Sequence, residues 1–276
     1  MKILLPVSAD PFFKDALALA VDVATARNAE ILAVCVIDQS EIRRIAGGGG
    51  LGAIHMAQHA AEEFEQRKMA EAAEALLFIT QFCANAGVVA HGDIRGGELI
   101  EEFLASAGGC DLVVGSIGSQ FKPGTEDKPG KLVLKMMRDG GIPVLLACTP
   151  YRPVRVVLIG CGGGLRSERA VAAMIKLSLW KSGCRRILLA VDDLPENGEK
   201  RLAAPRNLLA DAGYDLWETL VVKGRKQEVF SDVCETEKAD VVVLGGWGER
   251  RWDDLMGLSV TGRLLSEGRR NLFLYM

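Results

Sequence analysis

One segment in each half of the sequence combines glycines with a helix start, as anion-binding loops do. Each segment begins after an apolar stretch with two glycines three residues apart, continues through a polar loop and ends at a helix start. The residues are Gly115, Gly118, Gly130 and Lys131 in the first half, and Gly245, Gly248, Ser259 and Val260 in the second. Glycines leave backbone amides uncovered, and the following helix adds free amides at its positive end. The pattern favours phosphate binding, although a glycine pair after a strand is by itself more often a simple turn.

Side chains beside these loops have two interpretations each. Lys131 would suit a phosphate held at a helix start, but it is equally consistent with an exposed lysine. Arg250 and Arg251 could clamp a phosphate, although adjacent surface arginines are more often solvated. Trp247 and Trp252 could flank a flat base, although tryptophans above a sheet more often pack against protein.

Catalytic patterns are weak in this sequence. His55 and His59 are four residues apart, but the neighbouring glutamate of a zinc protease is missing, so a solvated helix face is the better interpretation. The sequence contains neither a Gly-x-Ser-x-Gly nucleophile segment nor a Lys-Ser/Thr pair after a glycine loop. We therefore predict no catalytic residues, no metal site and at most trace hydrolysis of nucleotide.

Composition limits the classes of function. Apolar residues make up 49% of the 276 residues and charged residues 25%, which is typical of a globular protein with a sizeable core. The net charge of −3 argues against nucleic-acid binding through phosphate neutralisation. No apolar stretch approaches the roughly 20 residues needed to span a membrane. Seven cysteines without a Cys-x-x-Cys pair favour reduced thiols in the cytoplasm.

Short stretches rich in Val, Ile and Leu alternate with longer stretches of helical spacing, as in the βαβ units of a parallel sheet. In the first part of the chain this pattern predicts strands at 2–7, 31–37, 88–93, 111–115 and 143–148. It predicts helices at 11–27, 56–86, 97–107 and 130–139. Asp10 and Pro11 are of the residue types that cap and start the first helix.

The same order of elements restarts at Val154, which indicates an internal repeat of about half the chain length. The second series has predicted strands at 154–160, 186–191, 216–222, 240–245 and 271–275. Its predicted helices are at 166–181, 199–212, 226–237 and 259–268. Pro150 and Pro153 stiffen a short connection, so we predict one α/β domain over 1–150 and a second over 151–276.

A glycine-rich segment from Ile45 to Gly52 makes the first half longer than the second. Glycine in a helix or a strand carries a large entropic cost, so we expect a mobile loop there. A phosphate-cradling role is less favoured, because the Lys-Ser/Thr sequel of a P-loop is missing.

These motifs resemble the universal stress protein family in its tandem two-domain form, and the resemblance covers nearly the whole chain. Nucleotide-binding members carry Gly-x2-Gly-x9-Gly-Ser/Thr after strand four, followed by a helix and a Pro-Val-Leu strand. The first half is similar to this motif at its three glycines and at 143–145. It differs in having eleven residues instead of nine between the second and third glycines, and Lys131 where the motif has Ser or Thr. The second half keeps nine residues and Ser259, with Leu258 at the glycine position. Residues 92–94 in the first half and 167–170 in the second also resemble sequences of the family.

The resemblance implies two five-stranded parallel-sheet domains of the Rossmann-type, adenine-nucleotide α-hydrolase-like class. It implies an intramolecular pseudo-dimer in which the final strands, at 144–146 and 272–274, lie side by side. Nucleotide-binding members end strand one with an aspartate that contacts the nucleoside. In this sequence the residue aligned with that aspartate is Ser8 in the first half. In the second half it is Cys161, which follows Gly160. The implied ligand is ATP or AMP, and the implied role is binding or signalling in the stress response.

Three functions remain open at this point. The first is stress-response signalling with weak nucleotide binding at degenerate sites, and the second is a scaffold for protein partners whose nucleotide sites have decayed. The third is slow nucleotide hydrolysis. We predict that any nucleotide occupies the second half before the first, because Gly245, Gly248 and Ser259 keep the family spacing. Formation of a homodimer is also left open.

Overall fold

The computed structural model of the protein describes residues 1–7, 13–47, 54–117, 136–246 and 259–276. The first half contains strands β1 (Lys2–Val7), β2 (Glu30–Asp38), β3 (Ala90–Gly97), β4 (Leu112–Ser116) and β5 (Val144–Ala147). Its helices are α1 (Phe13–Arg27), α2 (Gln39–Ala46), α3 (Ile54–Asn85) and α4 (Leu99–Ala107). Strand thus alternates with helix as the apolar pattern predicts.

The second half repeats this order. Its strands are β6 (Val156–Gly160), β7 (Arg185–Val191), β8 (Trp217–Val222), β9 (Val241–Gly245) and β10 (Asn271–Tyr275). Its helices are α5 (Leu165–Lys176), α6 (Pro195–Asp211), α7 (Lys226–Thr236) and α8 (Val260–Glu267). The division into domains at 150/151 stays a prediction, because the strands of both halves join in one sheet.

The ten strands form one sheet in the order β3-β2-β1-β4-β5-β10-β9-β6-β7-β8. Neighbours pair in parallel within each half, and β5 pairs with β10 in the antiparallel direction. Leu145 lies opposite Phe273, and Leu146 lies opposite Leu272. The predicted pairing of 144–146 with 272–274 is therefore present, and it covers one edge strand of each half.

The hydrophobic core lies on both faces of this sheet. Side chains alternate across a strand, so Leu145 and Phe273 pack on one face while Leu146 and Leu272 pack on the other. All four are fully buried. Each core layer therefore continues from one half into the other, and helices cover both faces as parallel strands require.

Asn271 is a fully buried polar residue at the junction of the two halves. Its side-chain Oδ1 accepts a hydrogen bond from the Cys148 N–H at 3.0 Å, and its Nδ2 donates to the Asp240 carbonyl at 3.0 Å. The strand registers place Pro143 at the equivalent position of the first half. The second half therefore uses this position to join the end of β5 to the start of β9 and β10.

Helix α2 was not predicted, and the expectation of a loop from Ile45 is wrong for Ile45 and Ala46, which are helical. The Asp38 carboxylate caps α2 by accepting a hydrogen bond from the Ser40 N–H at 2.9 Å. Capping and packing against α3 thus outweigh the adjacent glycines, and the helix ends at Ala46 with Gly47 as its C-cap. The rest of the predicted loop, 48–52, lies outside the described residues.

Three other boundaries differ from the predictions by four residues or more, and one of them is the start of α6, which lies at Pro195 rather than at 199. Strand β3 continues to Gly97 because its pairing with β2 extends to Asp38. Helix α5 ends at Lys176, and the left-handed backbone of Ser178 and Trp180 stops it from continuing to 181. The predicted cap at Asp10 and Pro11 lies outside the described residues, as does most of the predicted helix at 130–139. No helix within the described ranges is long and apolar enough to cross a membrane.

Candidate anion-binding site

A cavity of about 660 Å³ lies at the carboxyl ends of β6, β7 and β9, and we call it the second-half crevice. Ligands of open parallel sheets bind at this edge. Its walls come from the strand ends, the loop after β6 and the helices α5, α6, α7 and α8. Four of the predicted site residues line it together: Gly160, Cys161, Gly245 and Val260. Ser259 immediately precedes Val260, at the N-cap of α8.

Gly245 and Gly160 are required here by close packing. A Cβ on Gly245 would lie 2.6 Å from the carbonyl carbon of Arg166 and 2.8 Å from the backbone nitrogen of Ser167. A Cβ on Gly160 would lie 2.5 Å from Cδ2 of Leu244. Gly245 therefore allows the first turn of α5 to lie directly against the end of β9, which brings the α5 amides to the cavity.

The loop after β6 contains three consecutive glycines, at 162–164, which the sequence analysis did not single out. Gly163 has φ +77, and Gly164 is the N-cap of α5 without a side-chain cap. Ser167 donates its hydroxyl to the Gly164 carbonyl at 2.8 Å. The signal that could have revealed this loop is a glycine run between a buried strand and a helix, which is typical of phosphate-binding turns.

The start of α8 contributes hydroxyl groups to the same region. Ser259 accepts a hydrogen bond from the Gly262 N–H at 2.9 Å, so its hydroxyl caps the helix. Thr261 lines the cavity, is only 6% exposed and makes no hydrogen bond within the described residues. The Thr261 hydroxyl is thus available as a donor to a ligand oxygen in the cavity.

Three cations on the cavity wall have no ion pair or hydrogen bond through their side chains within the described part of the chain: Arg166 and Arg169 from α5, and Lys226 from α7. None of the described residues that line the cavity is a carboxylate. The described wall therefore carries an excess of positive charge, although the whole chain is acidic.

A fourth cation, Arg201 of α6, is already paired. Its Nη2 lies 2.6 Å from Oδ2 of Asp192, and its Nη1 donates to the Gly162 carbonyl at 3.0 Å. The Leu194 N–H and Arg201 lower the pKa of Asp192, so this carboxylate is ionised at neutral pH. Arg201 therefore holds the glycine loop in place rather than leaving its charge open to a ligand.

The starts of three helices meet at this cavity, since Leu165, Lys226 and Val260 are the first residues of α5, α7 and α8. Helix starts carry partial positive charge and present unpaired amides. Together with the unpaired cations they form an environment suited to an anion with several oxygens.

Comparison with known proteins assigns the fold. No protein-family model and no curated protein matches the sequence. A universal stress protein structure from Archaeoglobus fulgidus aligns over 99% of this chain and 95% of its own, with a TM-score of 0.76 and 16% identity. A structure described as a universal stress protein from Pseudomonas aeruginosa covers 99% of this chain and 92% of its own, with a TM-score of 0.59 and 16% identity. The chain has the universal stress protein fold.

Cys161 is the residue that the family resemblance aligns with the aspartate of nucleotide-binding members. The residue is 3% exposed, and its thiol donates to the Ile159 carbonyl at 3.6 Å. Burial raises the pKa of the Cys161 thiol to about 12, so it is neutral at physiological pH. The thiol therefore cannot supply the charge of a carboxylate to a nucleoside.

The crevice of the first half is not defined by the described residues. Gly115 lies in β4, paired with Leu146. Gly118, Gly130 and Lys131 lie outside the described residues, as do Ser8 and, in the second half, Gly248. The described residues also exclude Leu258, Trp247, Trp252, Arg250 and Arg251.

His55 and His59 lie on α3, and both side chains are exposed. Nδ1 of His59 is 3.3 Å from Oε1 of Glu63, which is an ordinary contact on a solvated helix face. The described residues contain no group of three or more side chains able to hold a metal ion.

Proposed function

We propose that this protein is a nucleotide-responsive binding protein of the universal stress protein type, and that the second-half crevice holds the phosphates of ATP or AMP. The observation that supports this proposal is that one cavity is lined by Arg166, Arg169, Lys226 and Thr261. None of its described wall residues is a carboxylate. The adenine base and the stress-response role are proposed from the family resemblance.

The proposed affinity is weak. A hydrogen bond to a charged group contributes about 1.5–3 kcal/mol, which is about tenfold or more in affinity. The neutral Cys161 thiol does not provide the hydrogen bond that an aspartate would give to the nucleoside. Binding should therefore depend on the phosphates.

We expect nucleotide turnover no faster than a trace rate. Hydrolysis needs a positioned base or a metal in addition to charge stabilisation. The described wall of the crevice offers cations and amides, which bind and orient phosphates without removing a proton from water. Catalysis at about 1 per second or faster would contradict this part of the proposal.

A scaffold without nucleotide is the second candidate, and the buried Cys161 thiol favours it. The outer strands β3 and β8 lie at the two ends of the sheet. Such edges are places where protein partners or a second copy of the chain could bind. A cytoplasmic location is part of either proposal, since all seven cysteines are free.

Charge reversal at Arg166 tests the binding proposal. Arg166→Glu is expected to weaken ATP binding at least tenfold at low ionic strength, because it replaces an unpaired cation on the cavity wall with a repelling carboxylate. Isothermal titration calorimetry measures the change. Lys238→Glu is the matched control, since Lys238 is exposed, follows α7 and lies at the opposite edge of the sheet.

The control separates a local effect from a change in total charge. Lys238→Glu should keep the wild-type affinity within about twofold. Equal losses in both variants, or no binding of ATP to the wild-type protein at millimolar concentration, would favour the scaffold instead.

A further inference from the structure

We propose that the second-half crevice recognises a chain of phosphates rather than a nucleoside, so that its ligand class is a polyphosphate-bearing small molecule, inorganic triphosphate included. This inference rests on the proposed function, because it concerns the same crevice. The residues proposed to select for a phosphate chain are Arg166, Arg169, Lys226 and Thr261.

The number of cations favours a ligand with several phosphates. Arg166 and Arg169 are three residues apart on α5 and lie on the same face, while Lys226 lies at the start of α7. A phosphate monoester carries about two negative charges at neutral pH, and each added phosphate increases the charge. Three cations therefore match the charge of a triphosphate better than the charge of a single phosphate.

Thr261 adds a hydroxyl to this set of cations. Thr261 is 6% exposed and lines the cavity, and its side chain makes no hydrogen bond to another described residue. A hydroxyl can donate to a phosphate oxygen, so the Thr261 side chain adds a neutral donor to the cations. Thr261 therefore distinguishes the crevice from a merely basic surface.

Within the described wall, few groups could recognise a nucleoside. The described wall provides no carboxylate for ribose hydroxyls, and the buried thiol of Cys161 already donates to Ile159. The remaining side chains near the strand ends are apolar, as Val191, Phe230 and Leu244 show. Apolar contact discriminates weakly between ligands of similar size.

The test compares four ligands with the wild-type protein by calorimetry in magnesium-free buffer at low ionic strength: inorganic triphosphate, ATP, AMP and adenosine. We expect the dissociation constants of triphosphate and ATP to agree within about threefold. AMP should bind at least tenfold more weakly, and adenosine should give no measurable heat.

The outcomes separate this inference from the proposed function. Binding of ATP with triphosphate at least tenfold weaker, or AMP as tight as ATP, would overturn the inference and leave the nucleotide proposal standing. Binding of triphosphate without ATP would support the inference and overturn the nucleotide proposal. Failure of both ligands to bind would overturn both.

Two neutral variants locate the phosphate contacts. Arg169→Gln and Thr261→Val should each weaken triphosphate binding at least fivefold, with circular-dichroism melting as the check on folding. Lys176→Gln is the control, because Lys176 is exposed at the opposite end of the same helix. If Arg169→Gln and Lys176→Gln lose affinity equally, binding is nonspecific and the assignment is wrong.

Discussion

Gly245→Val is expected to destabilise the protein by about 3 kcal/mol and to abolish ATP binding. The added Cβ would lie 2.6–2.8 Å from backbone atoms of Arg166 and Ser167, so the start of α5 must move away from β9. Backbone cannot rotate out of the way as a long side chain can. Urea denaturation measures the stability, and calorimetry with ATP measures the binding.

Gly164→Ala is the matched control for this prediction. Gly164 also lines the crevice at the start of α5, but no atom lies within 4 Å of a Cβ placed on it, and its φ of −142 suits any residue. The stability of this variant should stay within about 1 kcal/mol of wild type. Wild-type stability in Gly245→Val would contradict the close approach of α5 to β9.

Asn271→Leu is expected to lower the free energy of unfolding by about 3 kcal/mol, since it leaves a buried N–H without an acceptor and breaks a second hydrogen bond. The Cys148 N–H loses its bond to the side chain, and the Asp240 carbonyl keeps only its bond to the Asn271 backbone. Thermal and urea denaturation should both show the loss.

Asn85→Leu provides the same chemical change at an exposed position at the end of α3. It should alter stability by less than about 0.5 kcal/mol. Similar losses in the two variants would mean that the buried amide of Asn271 is not what joins the halves.

The strands were predictable because burial on both faces produces apolar stretches that are visible without any tertiary information. The pairing of 144–146 with 272–274 followed from the family resemblance. Helix α2 was missed because its stability depends on the Asp38 cap and on packing against α3, while the neighbouring glycines gave the stronger local signal.

The site was only partly predictable. Gly160, Cys161, Gly245 and Val260 were found because glycines and strand ends follow a spacing along the chain. Arg166, Lys226 and Thr261 were not selected, and Arg169 was noted only within the similar segment 167–170, since these residues belong to three helices that only the sheet topology brings together. Charged residues on helices are usually solvated, so the sequence offered no reason to choose these.

The most direct test of the central claim is to map amide chemical-shift changes by NMR as ATP is added to the protein. We predict that the largest changes fall on the loop at 162–164, on Arg166 and on Thr261, where the α5 and α8 amides face the crevice. Changes confined to the first half, around Gly115 and the end of β1, or no changes at millimolar ATP, would contradict the assignment of phosphate binding to the second-half crevice.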